Sequence, residues 1–442
     1  MRVSVLGAGR SAGYLIEYLT TLVGVKISSL SVFDLSFDLL WTDFPKSDKV
    51  NYSVVNLGDS QNLEKIVSDS QLVVSMMPPA FHVQVAQLCL EFNAHLFTAS
   101  YVSDAMKELH EQALAKKLVF MNELGLDPGI DHLSASKFIQ DLKNKGAKIT
   151  SFKSYCGGLI DKDSEGHNPW KYKITWNPMN VVKAGQGGIS RWREDGLEKQ
   201  VLPEQLFKQA QSFATQTGEE FDAYPNRDSL SYESVYHLEE TKTLIRGTLR
   251  RRGYCEAWQW LVNAKATQSL SFDQLGCLPL EGEHFGQWLH RLAVQEQRSL
   301  DPFESDSIRI KIDFLELDRF EILVTDASPA DVLLRVISDK WKLSPGDKDE
   351  VVMVHLTEYE WDGKSWQLES VLKVTGEGSG RSAMAKTVGL PLALGVELLI
   401  NNEIGEFGVL IPVFKPWGDV LLDRLNDHGL EFVHRNFPQS NQ

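Results

Sequence analysis

Val3-Ser4-Val5-Leu6-Gly7-Ala8-Gly9-Arg10-Ser11-Ala12-Gly13-Tyr14-Leu15-Ile16 decides the fold, because a short apolar strand runs directly into a glycine-rich turn and then an amphipathic helix. Gly7 permits a tight turn and Gly9 lets backbone approach a pyrophosphate. The helix that opens beside Arg10, Ser11 and Ala12 offers free N–H groups and a positive dipole end to that anion. The spacing up to Gly13, G-x-G-x-x-x-G, is one residue longer than the stricter dinucleotide fingerprint, so the flanking pattern has to carry the reading. A second strand, Ser29-Leu30-Ser31-Val32-Phe33, ends at Asp34, about 20 residues past Gly13, where a carboxylate reads the ribose of an adenosine. Such a carboxylate hydrogen-bonds the ribose hydroxyls and repels a 2′-phosphate, so NAD is the expected cofactor and NADP the alternative. A solvated charge at a strand end is the competing reading of Asp34.

Outward from this unit the alternation continues. Residues 51–57 and 71–77 read as strands, the latter closed by Pro78-Pro79; residues 81–92 read as a helix, 95–100 as a strand and 103–117 as a helix. Such alternation specifies a parallel sheet with helices on its faces. Asn56, Leu57 and Ala99 fall at strand ends, and the stretch holding Ser75, Met77 and Pro78 is expected to edge the nicotinamide half of the cofactor. After the strand 118–121 comes Asn122-Glu123-Leu124-Gly125-Leu126-Asp127-Pro128-Gly129-Ile130-Asp131-His132, an acidic turn at a strand-to-helix handover. Asp127-Pro128-Gly129 has turn chemistry, and Asp131 is positioned to cap the helix that follows.

With 442 residues, the chain is expected to form two or three domains. Its 60 acidic and 45 basic residues give a net charge of −15, which argues against nucleic acid and against an anionic membrane surface. Four scattered cysteines, without zinc or C-x-x-C spacing, read as free thiols of a reducing compartment, and no metal site is expected. No apolar run reaches the roughly 18 residues that span a bilayer, and a strand begins at the N-terminus where a leader would stand. A cytoplasmic enzyme is expected. Further along, residues 148–155 read as a strand leading into Cys156-Gly157-Gly158-Leu159, residues 171–176 and 244–249 as short strands, and 256–345 as a helical insertion. Residues 350–359 and 365–375 form a hairpin around Asp362-Gly363. Gly376-Glu377-Gly378-Ser379-Gly380 reads as a turn before a helix at 382–400, with a phosphate cradle as the alternative, and 408–413 is a late strand. Arg227, in a turn, and Arg246, in a strand with Gly247, are candidates for pairing with substrate carboxylates; an internal ion pair is the alternative for each.

Six motifs, in order, carry a resemblance: Ser100-Tyr101-Val102-Ser103, the 122–132 run, Ser154-Tyr155-Cys156-Gly157-Gly158-Leu159, Ala223-Tyr224-Pro225-Asn226-Arg227-Asp228-Ser229, Arg246-Gly247-Thr248-Leu249-Arg250 and Ser382-Ala383-Met384-Ala385-Lys386-Thr387-Val388-Gly389. Together they resemble saccharopine dehydrogenase of the glutamate-forming type, also called saccharopine reductase. The resemblance implies an α/β molecule in three parts: a Rossmann-type dinucleotide-binding domain over 1–125 completed by about 382–442, a mixed α/β substrate and dimerisation domain over 126–255 and 346–381, and a small helical domain over 256–345. It implies a homodimer that interconverts saccharopine with glutamate and 2-aminoadipate 6-semialdehyde. By position, Ser100, Tyr101, Asp127, Cys156, Gly157, Arg227, Arg246, Gly247 and Thr248 would line the substrate site, and Arg10, Ser11, Ala12, Phe33, Asp34, Leu35, Ser100, Leu126, Asp127 and Pro128 would touch the cofactor. Asp127 is the first candidate for orienting the amine or stabilising an iminium; Tyr101 handles protons, and Cys156 reads equally as a proton-handling or a packing residue. Fungal members carry basic or neutral residues where this chain has Asp34, and residues 176–180 and most of the helical insertion depart from the pattern. Two other readings stay open: a relative such as carboxynorspermidine dehydrogenase, which needs an acidic pocket for a polyamine, and an NAD-binding sensor without catalysis.

Overall fold

The computed structural model describes residues 1–438 except 42, 43, 45, 185, 187, 299, 301, 302, 304 and 379, so Ser379 of the glycine cluster and the last four residues of the expected 382–442 segment lie outside it. Contacts divide the chain into two units, Met1–Lys148 with Leu372–Val433, and Ile149–Val371 with the described part of His434–Gln442.

The first unit holds a seven-stranded sheet in the order Gly408–Leu410, Val119–Met121, His95–Thr98, Leu72–Ser75, Arg2–Leu6, Ser29–Asp34, Val50–Val54. Every neighbouring pair is parallel. Leu72–Ser75 is buried along its whole length, which is why it reads as an unbroken apolar run rather than an alternation. The register pairs Leu6 with both Phe33 and Ser75, and Ser75 with Thr98, so the carboxyl ends of four strands finish in one row. Asn56 and Leu57 fall just past the strand Val50–Val54, and the 103–117 segment is two short helices, Asp104–Lys107 and His110–Ala115.

The helix Gly13–Leu22 packs on the helix Ala383–Ile400 at close range: a Cβ added at Gly389 would stand 2.9 Å from the Leu15 nitrogen and 3.2 Å from the Ser11 carbonyl oxygen. Ala383–Ile400 corrects an expectation. Its 18 residues, of mean hydropathy 1.6, are long and apolar enough to cross a membrane, but 78% of them are buried inside the unit, as in a core helix. Small residues on its surface let it serve both neighbours, since Gly395 sits against Leu124 and Phe97. The glycine cluster ahead of it is a packing turn: Gly380, at φ +89°, lies against Trp41, and the Arg381 guanidinium stacks over the Trp41 and Tyr14 rings and bonds to Glu17.

The unit boundary falls at 148 rather than 125. The helix Ile130–Asn144 stays with the first unit because it packs on the helix Pro416–Asp427 and the residues after it; Gly418 contacts Leu133, and the rings of Phe138 and Phe432 are 5.4 Å apart.

The second unit is built on a nine-stranded mixed sheet ordered Gln211–Ala214, Glu220–Pro225, Thr243–Arg251, Lys148–Ile160, Asp349–Trp361, Lys364–Thr375, Phe432–Pro438, with Ser190–Glu194 and Leu197–Val201 attached to Thr243–Arg251. Asp362 and Gly363, at φ +50° and +70°, make the expected hairpin turn. The strand from Lys148 continues through Cys156 and both glycines to Ile160. Helices Tyr254–Asn263, Phe285–Gln295, Asp306–Leu315 and Pro329–Lys340 account for the helical insertion, but not as a third compact body. Trp258, Trp288 and Trp341 share one hydrophobic core with the sheet residues Ile245 and Leu249. Residues 171–176 are not a strand. Lys171 is left-handed (φ +49°), and the Asn168 side chain accepts from the Trp170 N–H and donates to the Tyr172 carbonyl, so these two backbone groups are met without a ladder while Trp170 and Tyr172 enter the core.

Gly389→Ala should force the helices Gly13–Leu22 and Ala383–Ile400 apart and cost about 1 to 3 kcal/mol. Thermal unfolding of the purified variant checks this; an unchanged midpoint would show that the contact yields freely.

Candidate active site

Gly7 has φ +98°, and a side chain there would meet the Met76 backbone at 3.1 Å, so the turn presses against the end of the strand Leu72–Ser75. A Cβ at Gly9 would meet nothing within 4 Å, leaving open space above the turn. The helix that follows begins at Gly13 with Ala12 as N-cap; no side chain caps it and its first turn has no acidic residue. Open space beside an uncompensated helix N-terminus suits a pyrophosphate. Gly13 itself makes room for the Trp41 indole, whose ring a Cβ would overlap at 2.0 Å. Leu57 and Met77 are likewise core side chains of the Leu6 and Val73 cluster, so neither offers a side chain to a cofactor. Asn56 caps its own turn by accepting the Gly58 N–H, Leu35 and Pro78 are exposed, and Phe33 is half-buried.

Asp34 reaches back to the turn. Its Oδ2 accepts the Ala8 N–H at 2.5 Å and its Oδ1 the Ser36 N–H at 3.3 Å, so the carboxylate is moored beside the glycines.

The 122–132 run is held by its own glycines: Gly129, at φ +145°, approaches so closely that a Cβ would lie 2.1 Å from the Gly125 carbonyl oxygen. Leu126 is buried, the Asp127–Pro128 peptide is cis, and the Tyr101 hydroxyl donates to Asp127 Oδ1 at 3.0 Å. Asp131 is not the cap. The helix starts at Ile130 after Gly129, and Asp131, buried in the first turn, accepts the Gly129 N–H at 2.6 Å.

Two buried groups in this unit have partners that the sequence did not signal. Glu123 donates its backbone N–H to the Ser100 carbonyl at 3.0 Å; its Oε1 accepts the Val102 N–H at 2.9 Å and its Oε2 pairs with His132 Nε2 at 2.7 Å. The Ser100-Tyr101-Val102 segment is thereby gripped on both sides of Tyr101. His82 bonds Ser75 Oγ through Nδ1 at 3.1 Å, and Ser100 Oγ and Thr98 Oγ1 through Nε2 at 2.8 and 3.1 Å. Burial pushes its pKa down to about 4.

In the second unit, strand pairing sets Arg246, Gly247 and Thr248 opposite Ser154, Tyr155 and Cys156. Gly247 and Gly157 are required by close approach, since a Cβ would lie 2.4 Å from the Tyr224 carbonyl oxygen or 2.6 Å from that of Leu249. The buried Arg246 stacks its guanidinium 4.1 Å above the Tyr232 ring. Its backbone N–H donates to Ser229 Oγ and its carbonyl accepts the Asn226 N–H, both at 2.9 Å, which stitches the turn of Arg227 to the Arg246 strand. Arg227 is exposed and left-handed at φ +56°. Cys156 is buried.

The first unit thus gathers Ser100, Tyr101, Asp127 and the dinucleotide turn, and the second gathers Cys156, Gly157, Arg227, Arg246, Gly247 and Thr248. Residues 3–121 match the saccharopine dehydrogenase NADP binding domain, and residues 125–430 the saccharopine dehydrogenase C-terminal domain. The chain belongs to the saccharopine dehydrogenase family. The Saccharomyces cerevisiae saccharopine dehydrogenase [NADP(+), L-glutamate-forming] is 32% identical over 386 residues, 84% of this chain and 86% of that one. The Schizosaccharomyces pombe protein of the same name is 28% identical over 97% of each chain. The apo structure of saccharopine dehydrogenase (L-Glu forming) from Saccharomyces cerevisiae superposes with a TM-score of 0.82 at 27% identity, covering 99% of both chains. A homospermidine synthase from Legionella pneumophila, with TM-score 0.56 at 10% identity over 100% of this chain and 92% of that one, shares the family's fold alone.

Unfolded, His82 takes up its proton near pH 6.5, but in the fold only near 4, so between those values the unfolded chain binds more protons. The stability tied to the neutral ring is complete above pH 6.5 and falls by about 3 kcal/mol as the pH drops to 4. Urea unfolding at pH 7 and pH 4.5 should show a smaller acid loss for His82→Gln than for wild type; equal losses would place the titration elsewhere.

Proposed function

We propose that this protein is a saccharopine dehydrogenase of the glutamate-forming type: saccharopine, an oxidised nicotinamide dinucleotide and water give glutamate, 2-aminoadipate 6-semialdehyde, the reduced dinucleotide and a proton. The observation that carries the proposal is the Tyr101–Asp127 hydrogen bond in the same unit as the glycine turn, in a chain of this family. The bound dinucleotide supplies the hydride acceptor. Asp127 orients the secondary amine and offsets the positive charge that grows on nitrogen as the neighbouring carbon is oxidised to an iminium. Tyr101 fixes that carboxylate through its hydroxyl, and the proton given up by the amine passes to this pair. Water then adds to the imine carbon and the carbon–nitrogen bond breaks to release glutamate. In the second unit, Arg227 and Arg246 are the residues assigned to substrate carboxylates, with Gly247 and Thr248 following Arg246 along its strand and paired in register with Tyr155 and Cys156. Two cations suit a polyanionic amino acid and disfavour a polyamine, which sets the carboxynorspermidine reading aside.

The same proposal includes NAD as the preferred cofactor, supported by the Asp34 carboxylate moored at the turn, where it would face a 2′-phosphate with like charge. NADP is the second reading, favoured by the NADP(+)-dependent relatives and by the exposed Arg10 of the turn. A cytoplasmic homodimer completes the proposal; four buried cysteines without zinc or C-x-x-C spacing support the compartment, and light scattering tests the stoichiometry.

The deciding assay follows reduced nicotinamide on mixing the protein with saccharopine and either cofactor. Wild type should turn over saccharopine with the higher kcat/KM for NAD; Asp34→Ala should lose about 1.5 to 3 kcal/mol in kcat/KM for NAD. A tenfold wild-type preference for NADP would reverse the role given to Asp34.

Asp127→Asn preserves size and removes charge, and should lower kcat roughly a hundredfold with dinucleotide affinity unchanged. Arg246→Lys should instead raise KM for saccharopine, because lysine lacks the planar fork that pairs with a carboxylate. If both variants keep wild-type kinetics, the substrate site lies among other residues.

A further inference from the structure

His82 opens the helix His82–Phe92, directly after the 3₁₀ turn Pro79–Phe81, and its ring is 5% exposed. The parallel register that sets Ser75 beside Thr98 allows this one ring to reach two strand ends at once: Ser75 on Nδ1, and Thr98 and Ser100 on Nε2. These hydrogen bonds all run to hydroxyls, and none to a carboxylate, so nothing in them favours an imidazolium. The roles assigned above to Ser75 and Ser100 leave the histidine that joins them unused.

We propose that His82 is a positioning residue for hydride transfer, ordering the Ser75 and Ser100 hydroxyls into a hydrogen-bond chain of one direction at the nicotinamide edge. This rests on the dinucleotide reading of those strand ends. A neutral imidazole has one N–H and one lone pair, so the two hydroxyls at its ends cannot behave alike. Nε2 has two hydroxyl oxygens within reach, and the proposal assigns it the N–H, donating to the nearer, Ser100 Oγ at 2.8 Å. Thr98 Oγ1 meanwhile accepts the Ser100 backbone N–H at 3.2 Å, holding the same residue from a second atom. Nδ1 is then the acceptor and takes the Ser75 proton. The chain runs Ser75 O–H to Nδ1, Nε2–H to Ser100 Oγ, and leaves the Ser100 O–H to donate outward. With the Glu123 N–H on the Ser100 carbonyl, both the place and the proton direction of Ser100 are set before any ligand arrives. The ring's low pKa keeps this order through the physiological range.

Three measurements test the proposal. Nitrogen-15 NMR of histidine-labelled wild-type protein, assigned through His82→Gln, should show the Nε2–H tautomer; the Nδ1–H tautomer overturns the stated direction. NADH titration by fluorescence should give a Kd about fivefold higher for His82→Phe, and kcat with saccharopine should fall about tenfold, while KM for saccharopine stays within about twofold. His82→Gln, whose amide again offers one donor and one acceptor, should recover most of both losses. A residue that merely supports the fold would lower the melting temperature of His82→Phe without changing Kd or kcat per folded site, and that result sinks the proposal. Should His82→Phe fail to fold, Ser75→Ala, which removes one end of the chain and leaves the ring, should reproduce the Kd increase; wild-type affinity there also overturns it. Wild type that binds NADH yet does not consume saccharopine refutes the proposed substrate alone, because the Kd and NMR arms still read His82. Wild type that binds neither NADH nor NADPH refutes the dinucleotide reading and the positioning role with it.

Discussion

Parallel register in the first sheet is the constraint on which the candidate site depends. Backbone bonds from Gly7 to the Phe33 carbonyl and from Met76 to the Leu6 carbonyl, both 2.8 Å, end three strands at one level. Each chain then leaves its strand with a different device: a glycine turn after Leu6, a carboxylate at Asp34, a Pro-Pro step after Met77. A one-residue slip would turn Asp34 and Ser75 to the opposite face of the sheet and remove both from the row. The fully buried centre of the sheet prevents such a slip, since apolar side chains on both faces are committed to the core.

Acidic residues do three different jobs inside this acidic chain, and their surroundings tell them apart. Glu123 is buried, left-handed at φ +55°, and bonded to His132 and to a backbone N–H, so it organises chain rather than meeting solvent. Removing either partner of such a pair would leave a buried charge or dipole unmatched, which is costlier than the pair is stabilising. Asp34 spends one oxygen on the Ala8 N–H and is only half-buried, which fits a group that must hold a turn and still present charge. Asp127 accepts the Tyr101 hydroxyl proton, placing an ionisable pair where the backbone has been bent by Gly125 and Gly129.

Much of this was legible because glycine and hydrophobic runs leave local marks. The strand, turn and helix at residues 3–16, the hairpin at Asp362-Gly363 and the helix near 382–400 each follow from short-range chemistry. Where the reading failed, a tertiary contact had decided the outcome. Residues 171–176, expected as a strand, answer to the side chain of Asn168. The helical insertion gives no separate unit because its tryptophans join the core of the sheet, a fact about partners that periodicity does not encode. His82 had no signal at all. One histidine at a helix start is ordinary until a sheet register brings two hydroxyls to its ring.

Selectivity between the two nicotinamide dinucleotides then becomes a question of how firmly one carboxylate is held. A mobile aspartate could swing away from a 2′-phosphate and let a neighbouring cation such as Arg10 take its place. Asp34 is tied to the very turn it would have to leave: its 2.5 Å bond to the Ala8 N–H joins the carboxylate to the backbone between Gly7 and Gly9. Moving it would leave that N–H without its acceptor, a cost comparable to the hydrogen bond with a charged group that is lost. Under the proposed NAD preference, like-charge repulsion from a fixed carboxylate would not be relieved by rotation of the side chain, and the bond that shapes the glycine turn would also disfavour a 2′-phosphate. On that proposal, discrimination and phosphate binding belong to one local structure, in which a single residue after the second strand would set cofactor choice without changing the fold around it.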